Sequence, residues 1–285
     1  METERKEHDT MKKIKLIALD MDGTLLNSEK KCSERTKRAL IKAQEQGIWI
    51  VPTTGRAING LPQELKDINV RYGIFCNGAS CYDLHKDILM VADHFTVEEA
   101  LKLLHIGDKY DASHDVYAGG CGYCEAKYLD HFEEYTNDIE IQNLIRNTRK
   151  RLDGSLDEFL LSSGLTVEKV NMFFKDLDER AAAEKEFLAT GLTEPVSALY
   201  NNLEMGKLGV SKGKAMVHLA EKLGIEREEI MACGDAKNDL SMVKLAGIGV
   251  AMKNGIDEIK EIADYVTDTN DCDGVAKAIE KFALE

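Results

Sequence analysis

Asp20 and Asp22 flank Met21 in the stretch LIALDMDGTLLNS, where an apolar run ends and Gly23 and Thr24 follow at once. Residues two apart on an extended strand point to the same side, so the pairing sets two carboxylates next to each other. Two unit charges about 4 Å apart repel by roughly 4 kcal/mol at an effective dielectric of about 20. A cation or a shared proton relieves that repulsion. In open α/β sheets, ligands gather at the carboxyl ends of the strands, which is where this pair falls. Taken alone, a polar turn with two solvated acids explains the pair equally well. A calcium loop does not. It carries acids at its first, third and fifth positions and glycine at the sixth, whereas here, counting from Asp20, Gly23 is fourth and Thr24 fifth, between strand-like flanks.

Three further clusters occupy the same kind of position. VPTTGR places Thr53, Thr54 and Gly55 after an apolar run, where a hydroxyl and nearby N–H groups suit an anion. GVSKGKA puts Lys212 at the opening of a helix, where free N–H groups and the dipole also favour an anion. CGDAKND sets Asp235, Asn238 and Asp239 after another apolar run. Together they suggest a hard-cation site beside a phosphate. Mg²⁺ takes oxygen ligands from a few carboxylates plus phosphate and water. Asp20, Asp22 and Asp235 supply oxygens, while Lys212 and Thr54 supply donors to phosphate oxygens.

The elements that position these residues follow from periodicity. KLIALD is a short apolar run suited to a buried parallel strand. SERTKRALIKAQEQG reads as a helix from a Ser33 cap to a Gly47 stop. IWIVPTTGR and YGIFCNGA are further strand-like runs. The last third repeats the rhythm: helix SKGKAMVHLAEKLG, strand EIMACGD, helix NDLSMVKLAG, strand IGVAM, helix DEIKEIA, strand DYVTDT and helix DGVAKAIEKFAL. Strand and helix in alternation indicate a parallel sheet wrapped by helices. The middle, from about Asp83 to Tyr200, differs. It opens a helix with the capping box Thr96/Glu99, then offers a strand in VEKVNMFF and a helix in LDERAAAEKEFLATG, among glycine-rich and charged pieces. The expectation is an α/β protein: a three-layer Rossmann-like core with a parallel sheet from residues 11–83 and 200–285, an inserted α+β domain at 84–199, and a loose polar tail over 1–10.

The bulk numbers bound the partners. The chain has 285 residues, 44% hydrophobic, with a net charge of −14. That acidity argues against nucleic acid or an anionic membrane as partner. No apolar run approaches the roughly 20 residues that span a bilayer, and the start has no apolar signal-peptide centre. Seven cysteines, an odd number, read as reduced thiols of a cytoplasmic protein. Cys121 and Cys124 have redox or half-zinc spacing, but no second pair completes a zinc site.

DMDGTLL, TTGR, SKGKA and GDAKND resemble the four ordered motifs of the haloacid dehalogenase (HAD) superfamily. AGIGVAMKNG and the ending ADYVTDTNDCDGVAKAIEKF resemble its Cof-type (subfamily IIB) phosphatases, which insert a large α/β cap between the second and third motifs. The resemblance runs from about Ile14 to Phe282 and is vague in the cap. It implies a Mg²⁺-dependent phosphatase acting on small phosphorylated metabolites through an aspartyl-phosphate. Asp20 would be the nucleophile and Asp22 the general acid, then base, with its main-chain carbonyl on the metal. Asp20 and Asp235 would bind the metal, and Thr54 and Lys212 the phosphoryl oxygens. Asn238 would touch phosphate or substrate, and Gly23, Thr24, Gly55 and Asp239 would support the site. Thr53 is the alternative to Thr54, and Lys207 to Lys212. A phosphomutase on the same core and a non-catalytic phosphometabolite-binding protein are the other readings. The cap would set the leaving group, through polar residues such as His114, Tyr117, Tyr123 and Glu125, and would hinge near Asp83 and near Tyr200 to Leu203. Neither the leaving group nor the oligomeric state can be read from the sequence.

Overall fold

The structure, a computed structural model, describes residues 12–197 and 199–284; the tail expected over 1–10 lies outside them. Along the chain run β1 (Leu16–Leu19), α1 (Glu34–Glu45), β2 (Trp49–Pro52), α2 (Gln63–Asp67), β3 (Tyr72–Phe75), β4 (Ser80–Asp83), β5 (Ile88–Ala92), α3 (Val97–Gly107), β6 (Ala112–Ala118) and β7 (Cys121–Glu125). Then come α4 (Ala126–Leu129), α5 (Ile139–Thr148), β8 (Arg149–Leu152), α6 (Leu156–Ser163), β9 (Val167–Phe174), α7 (Leu177–Ala189) and β10 (Asn202–Met205). The chain closes with α8 (Lys212–Leu223), β11 (Ile230–Gly234), α9 (Leu240–Leu245), β12 (Ile248–Ala251), α10 (Asp257–Ile262), β13 (Tyr265–Val266) and α11 (Gly274–Phe282). These elements form two compact units, Met1–Val51 with Ala220–Glu285, and Pro52–Leu219. No helix of the described residues is long and apolar enough to cross a membrane.

The first unit holds a five-stranded sheet in the order β13-β12-β11-β1-β2. β1 pairs parallel with β11, from Leu16 opposite Ile230 to Leu19 opposite Cys233. Every residue of β1 and β11 is buried, as expected for parallel strands covered on both faces. α1 starts where the Ser33 hydroxyl accepts the Thr36 N–H and buries Ala39, Leu40 and Ala43. From β1 the chain steps to β2 on one side, and it later returns to β11 on the other. The carboxyl ends of β1 and β11 therefore form the topological switch point, where a crevice opens and ligands bind.

The second unit holds two sheets. β3, β4 and β5 form an antiparallel meander. The sequence places YGIFCNGA in the parallel sheet, but β3 touches that register only through the parallel bridge of Thr53 to Ile74. The reason is local. Thr54 N–H donates to Ile74 O at 2.9 Å, and the next donor on that side of the strand falls at residue 52, a proline without an N–H. The other sheet runs β10-β9-β6-β7-β8. One face packs Val116, Val170, Met172, Phe174, Leu203 and Met205 against α3, α6 and α7 through Leu103, Leu104, Leu156, Leu160, Ala183 and Phe187. The capping box of α3 is complete: Thr96 Oγ1 accepts Glu99 N–H, and Glu99 Oε2 accepts Thr96 N–H. The borders expected at 83/84 and 199/200 fall in the β4–β5 hairpin turn and just ahead of β10, a strand of the β10-β9-β6-β7-β8 sheet. Thr96→Ala removes that cap and is expected to cost about 1 kcal/mol of stability, read as a lower midpoint in urea denaturation with activity of the folded protein retained.

Candidate active site

In the first unit, β1 delivers Asp20 to the switch point. Its N–H continues the ladder to Cys233 O at 3.1 Å, and its own carbonyl accepts Leu25 N–H. Met21 O accepts Leu26 N–H, so residues 20–26 close into a tight turn. Gly23 adopts φ +86°, and a Cβ there would lie 2.4 Å from Asp235 Oδ2. Only glycine tolerates both the conformation and the approach. Thr24 then donates its hydroxyl to Asp235 Oδ1 at 2.8 Å. Asp239, fully buried, accepts the N–H groups of Asp235 and Ala236 at 3.0 Å each. Gly234 makes room for it, since a Cβ there would sit 2.4 Å from Asp239 Cβ.

The result is a trio. Asp20, Asp235 and Asp239 each present a carboxylate oxygen within 4.8 Å of the others. An all-oxygen donor set of three acids fits a hard divalent cation such as Mg²⁺ and suits neither a soft nor a thiophilic metal. Asp22 stands outside this trio. Its carboxylate lies 2.9 Å from Lys30 Nζ, in a half-exposed pair. Asn238 sits exposed on the short turn between Asp235 and Asp239. Cys233, directly ahead of Gly234, is inert: burial pushes its thiol up to about 12.

In the second unit the structure gathers Thr54, Gly55 and the start of α8 around residues 76–78. Thr54 O accepts Asn77 N–H at 3.0 Å, and Arg56 O accepts Cys76 N–H at 2.9 Å. Thr54 Oγ1 accepts Arg56 N–H at 3.2 Å. Thr53, by contrast, lies in the bridge to Ile74. Cys76, Asn77 and Gly78 all take positive φ, at 51°, 58° and 106°. A Cβ on Gly78 would meet Ser211 O at 2.4 Å and Lys212 N at 3.1 Å, so this turn seats directly on the start of α8. Lys212 is fully buried. Lys207 is engaged elsewhere, on Glu99 at 2.9 Å and His94 O at 3.1 Å.

The candidates in the inserted segment separate. Tyr123 packs on the Phe159 ring at 4.3 Å. Glu125 accepts Leu156 N–H and pairs with Lys127. His114 is buried behind α3, and burial lowers its pKa. Tyr117 alone of the four lies on the polar face of the sheet, between Arg149 and Lys169. Cys121 and Cys124, three apart on β7, point to opposite faces. The Cys124 thiol is buried against His114 O, so the two form no chelating pair.

Two residues went unselected in the sequence. Asn77 lies over Gly55, its Oδ1 3.0 Å from where a Cβ would be. Asn254 donates to Gly23 O at 2.8 Å and accepts Asn270 N–H, bracing the acid turn. Each precedes a glycine in a loop after an apolar run, and that was the available signal. Gly23→Ala is expected to cost more than about 1 kcal/mol of stability and to weaken divalent-ion binding in calorimetric titration. Unchanged binding would mean that Asp235 does not need this approach.

The wider comparisons agree with the geometry. A model of the haloacid dehalogenase-like hydrolases matches residues 17–279. The chain is 32% identical over 277 residues to the 5-amino-6-(5-phospho-D-ribitylamino)uracil phosphatase YcsE of Bacillus subtilis (strain 168), across 95% of this chain and 96% of that one. A solved haloacid dehalogenase-like hydrolase from Bacteroides thetaiotaomicron aligns with a TM-score of 0.82 at 31% identity, across 94% of this chain and 99% of that one. A solved HAD subclass IIB sugar phosphatase aligns at 0.77 and 25% identity, across 95% and 100%. The chain belongs to the haloacid dehalogenase-like hydrolases, among their Cof-type (subclass IIB) phosphatases.

Proposed function

We infer that this phosphatase hydrolyses small phosphorylated metabolites with Mg²⁺ and passes through an aspartyl-phosphate. The observation that carries the reading is the acid trio built around Asp20 at the end of β1, with Thr24, Gly23 and Asp239 fixing Asp235. Asp20 attacks phosphorus; a P–O bond to its carboxylate forms as the ester oxygen departs. Asp22 gives that oxygen a proton, then takes one from the water that cleaves the acyl phosphate. Asp20, Asp235 and Asp239 would hold the ion, with the main-chain carbonyl of Asp22. When bound, it offsets the charge of the phosphate dianion against the nucleophile. Thr54 and Lys212 hold phosphoryl oxygens, and Asn238 touches phosphate or substrate. Such a reaction asks the protein for positioning and charge compensation rather than covalent chemistry.

The substrate on this reading is a phosphorylated sugar, polyol, nucleotide or cofactor, and the leaving group is its dephosphorylated alcohol. Support comes from the YcsE relative, named for a phosphoribitylamino-uracil, and from the sugar phosphatase structure. The insertion, about 84–199, acts as the cap that selects it, since groups that grip only phosphate cannot discriminate. The test is hydrolysis of a generic aryl phosphate followed by a panel of phosphorylated sugars, polyols and nucleotides. Turnover should need Mg²⁺ and vanish with a chelator. Asp20→Asn should lower turnover on the order of 1000-fold or more, with an unchanged circular dichroism spectrum. A variant that hydrolyses esters at the parental rate would remove Asp20 from the role of nucleophile.

A further inference from the structure

β9, VEKVNMFF, alternates. Val170, Met172 and Phe174 enter the apolar core, so Lys169 and Asn171 face the other way. That other face is polar and still buried. Lys169 has a side chain only 4% exposed. A buried ammonium is costly unless charge and hydrogen bonds surround it, and an apolar pair would often serve stability as well or better. Its position is tightly defined. Nζ donates to Glu204 Oε2 at 2.9 Å and to Gly55 O at 3.1 Å, and it lies 4.4 Å from the centre of the Tyr117 ring. Burial by itself lowers the pKa of such a group; the Glu204 carboxylate and Tyr117 override it and hold the ammonium above the ordinary lysine range.

Neighbouring strands brace this arrangement. Tyr117 is the register partner of Lys169 on one side and of Gly122 on the other, and Gly122 pairs with Arg149. A Cβ on Gly122 would lie 2.5 Å from Arg149 Cδ; its absence lets Arg149 cross to the Tyr117 ring, 4.6 Å away. Asp115 accepts from Arg149 Nε at 3.0 Å and Asn171 Nδ2 at 2.8 Å. The preceding residue, Glu168, accepts the Gly120 N–H at 2.9 Å and the Cys76 thiol at 3.5 Å. Consecutive residues of β9 thus reach both strands of the turn that carries Thr54: Gly55 on one, Cys76 on the other.

We propose that Lys169 is a positioning residue of the phosphate grip: held by Glu204 and the Tyr117 face, its ammonium fixes the Gly55 carbonyl and so the Thr54 hydroxyl beside it. The proposal rests on the reading of Thr54 as a phosphate ligand. The test measures inhibition by inorganic phosphate against an aryl phosphate substrate, together with KM, kcat and Tm, in five variants. In Lys169→Met, and in Lys169→Met/Glu204→Gln, which removes the buried charges as a pair, the inhibition constant for phosphate and KM should rise together about tenfold, as for loss of a charge-assisted hydrogen bond. Tm of the double variant should stay near the parental value. Lys169→Arg, which keeps the charge, should recover most of the loss. If the lysine variants fail to fold, Glu204→Gln decides, with a several-fold weaker phosphate inhibition expected. Folded variants with parental phosphate inhibition would overturn the proposal, including the case where only KM for bulky substrates moves and Lys169 reads the leaving group instead. Thr54→Val separates the two levels. If it leaves phosphate inhibition unchanged, the grip itself is misassigned; if it weakens inhibition and the Lys169 variants do not, only the present inference falls.

Discussion

Three carboxylates with oxygens inside 4.8 Å of one another set the terms for the first unit. At an effective dielectric of about 20, each ionised pair at that spacing repels by roughly 3.5 kcal/mol. Three such pairs approach the whole stability of a domain, about 5–15 kcal/mol. Such a set calls for positive charge, shared protons or hydrogen bonds to offset it, and the acids must be held against drifting apart. The holding groups are specific. Thr24 and two main-chain N–H groups grip Asp235 and Asp239. Gly23 and Gly234 supply the missing Cβ atoms that let the acids approach. The β1–β11 ladder runs on through Asp20 N–H to Cys233 O. These contacts hold the three carboxylates in place.

The second unit solves the converse problem, buried cations. Lys212, Lys169 and Arg149 are all out of solvent. The two cations of the inserted sheet are each matched to a carboxylate and share one tyrosine ring. Here too glycines do the spatial work: Gly122 under Arg149, and Gly78 against the start of α8. The run of left-handed residues at 76–78 costs backbone strain, and it is what carries Asn77 over Gly55.

How much of this the sequence disclosed varies with the physics behind each part. The acid clusters were legible because they break a strong pattern, apolar strands that end in charge. The capping box at Thr96 and the strand VEKVNMFF were legible because short-range periodicity determines them. The antiparallel place of β3 was not, because it turns on which side of β2 lacks a donor at Pro52, a fact about pairing rather than propensity. Asn77 and Asn254 were missed because a lone asparagine before glycine is ordinary turn chemistry until tertiary contacts give it a partner. The borders expected at 83/84 and 199/200 fall at the tip of the β4–β5 hairpin and ahead of β10, places defined by strand pairing that composition does not report. Lys207 and Lys212 could be ranked by sequence pattern. In the structure Lys207 reaches Glu99 and the His94 carbonyl.

The β10-β9-β6-β7-β8 sheet divides its work between two faces. Its two faces obey different constraints because side chains alternate along a strand. Val116, Val170 and Met172 belong to a close-packed apolar layer, where a change of volume is felt at once. Asp115, Tyr117, Lys169, Asn171 and Glu204, interleaved with them, belong to a hydrogen-bonded layer whose members are replaceable in matched pairs without disturbing the packing behind them. Sequence can drift on the polar face while the apolar one holds the architecture. A single residue that belongs to the polar layer and also holds the Gly55 carbonyl, as Lys169 does, is where the freedom should stop. On the proposed reading it serves the part of the site that would meet phosphate, the feature common to every substrate of a phosphatase.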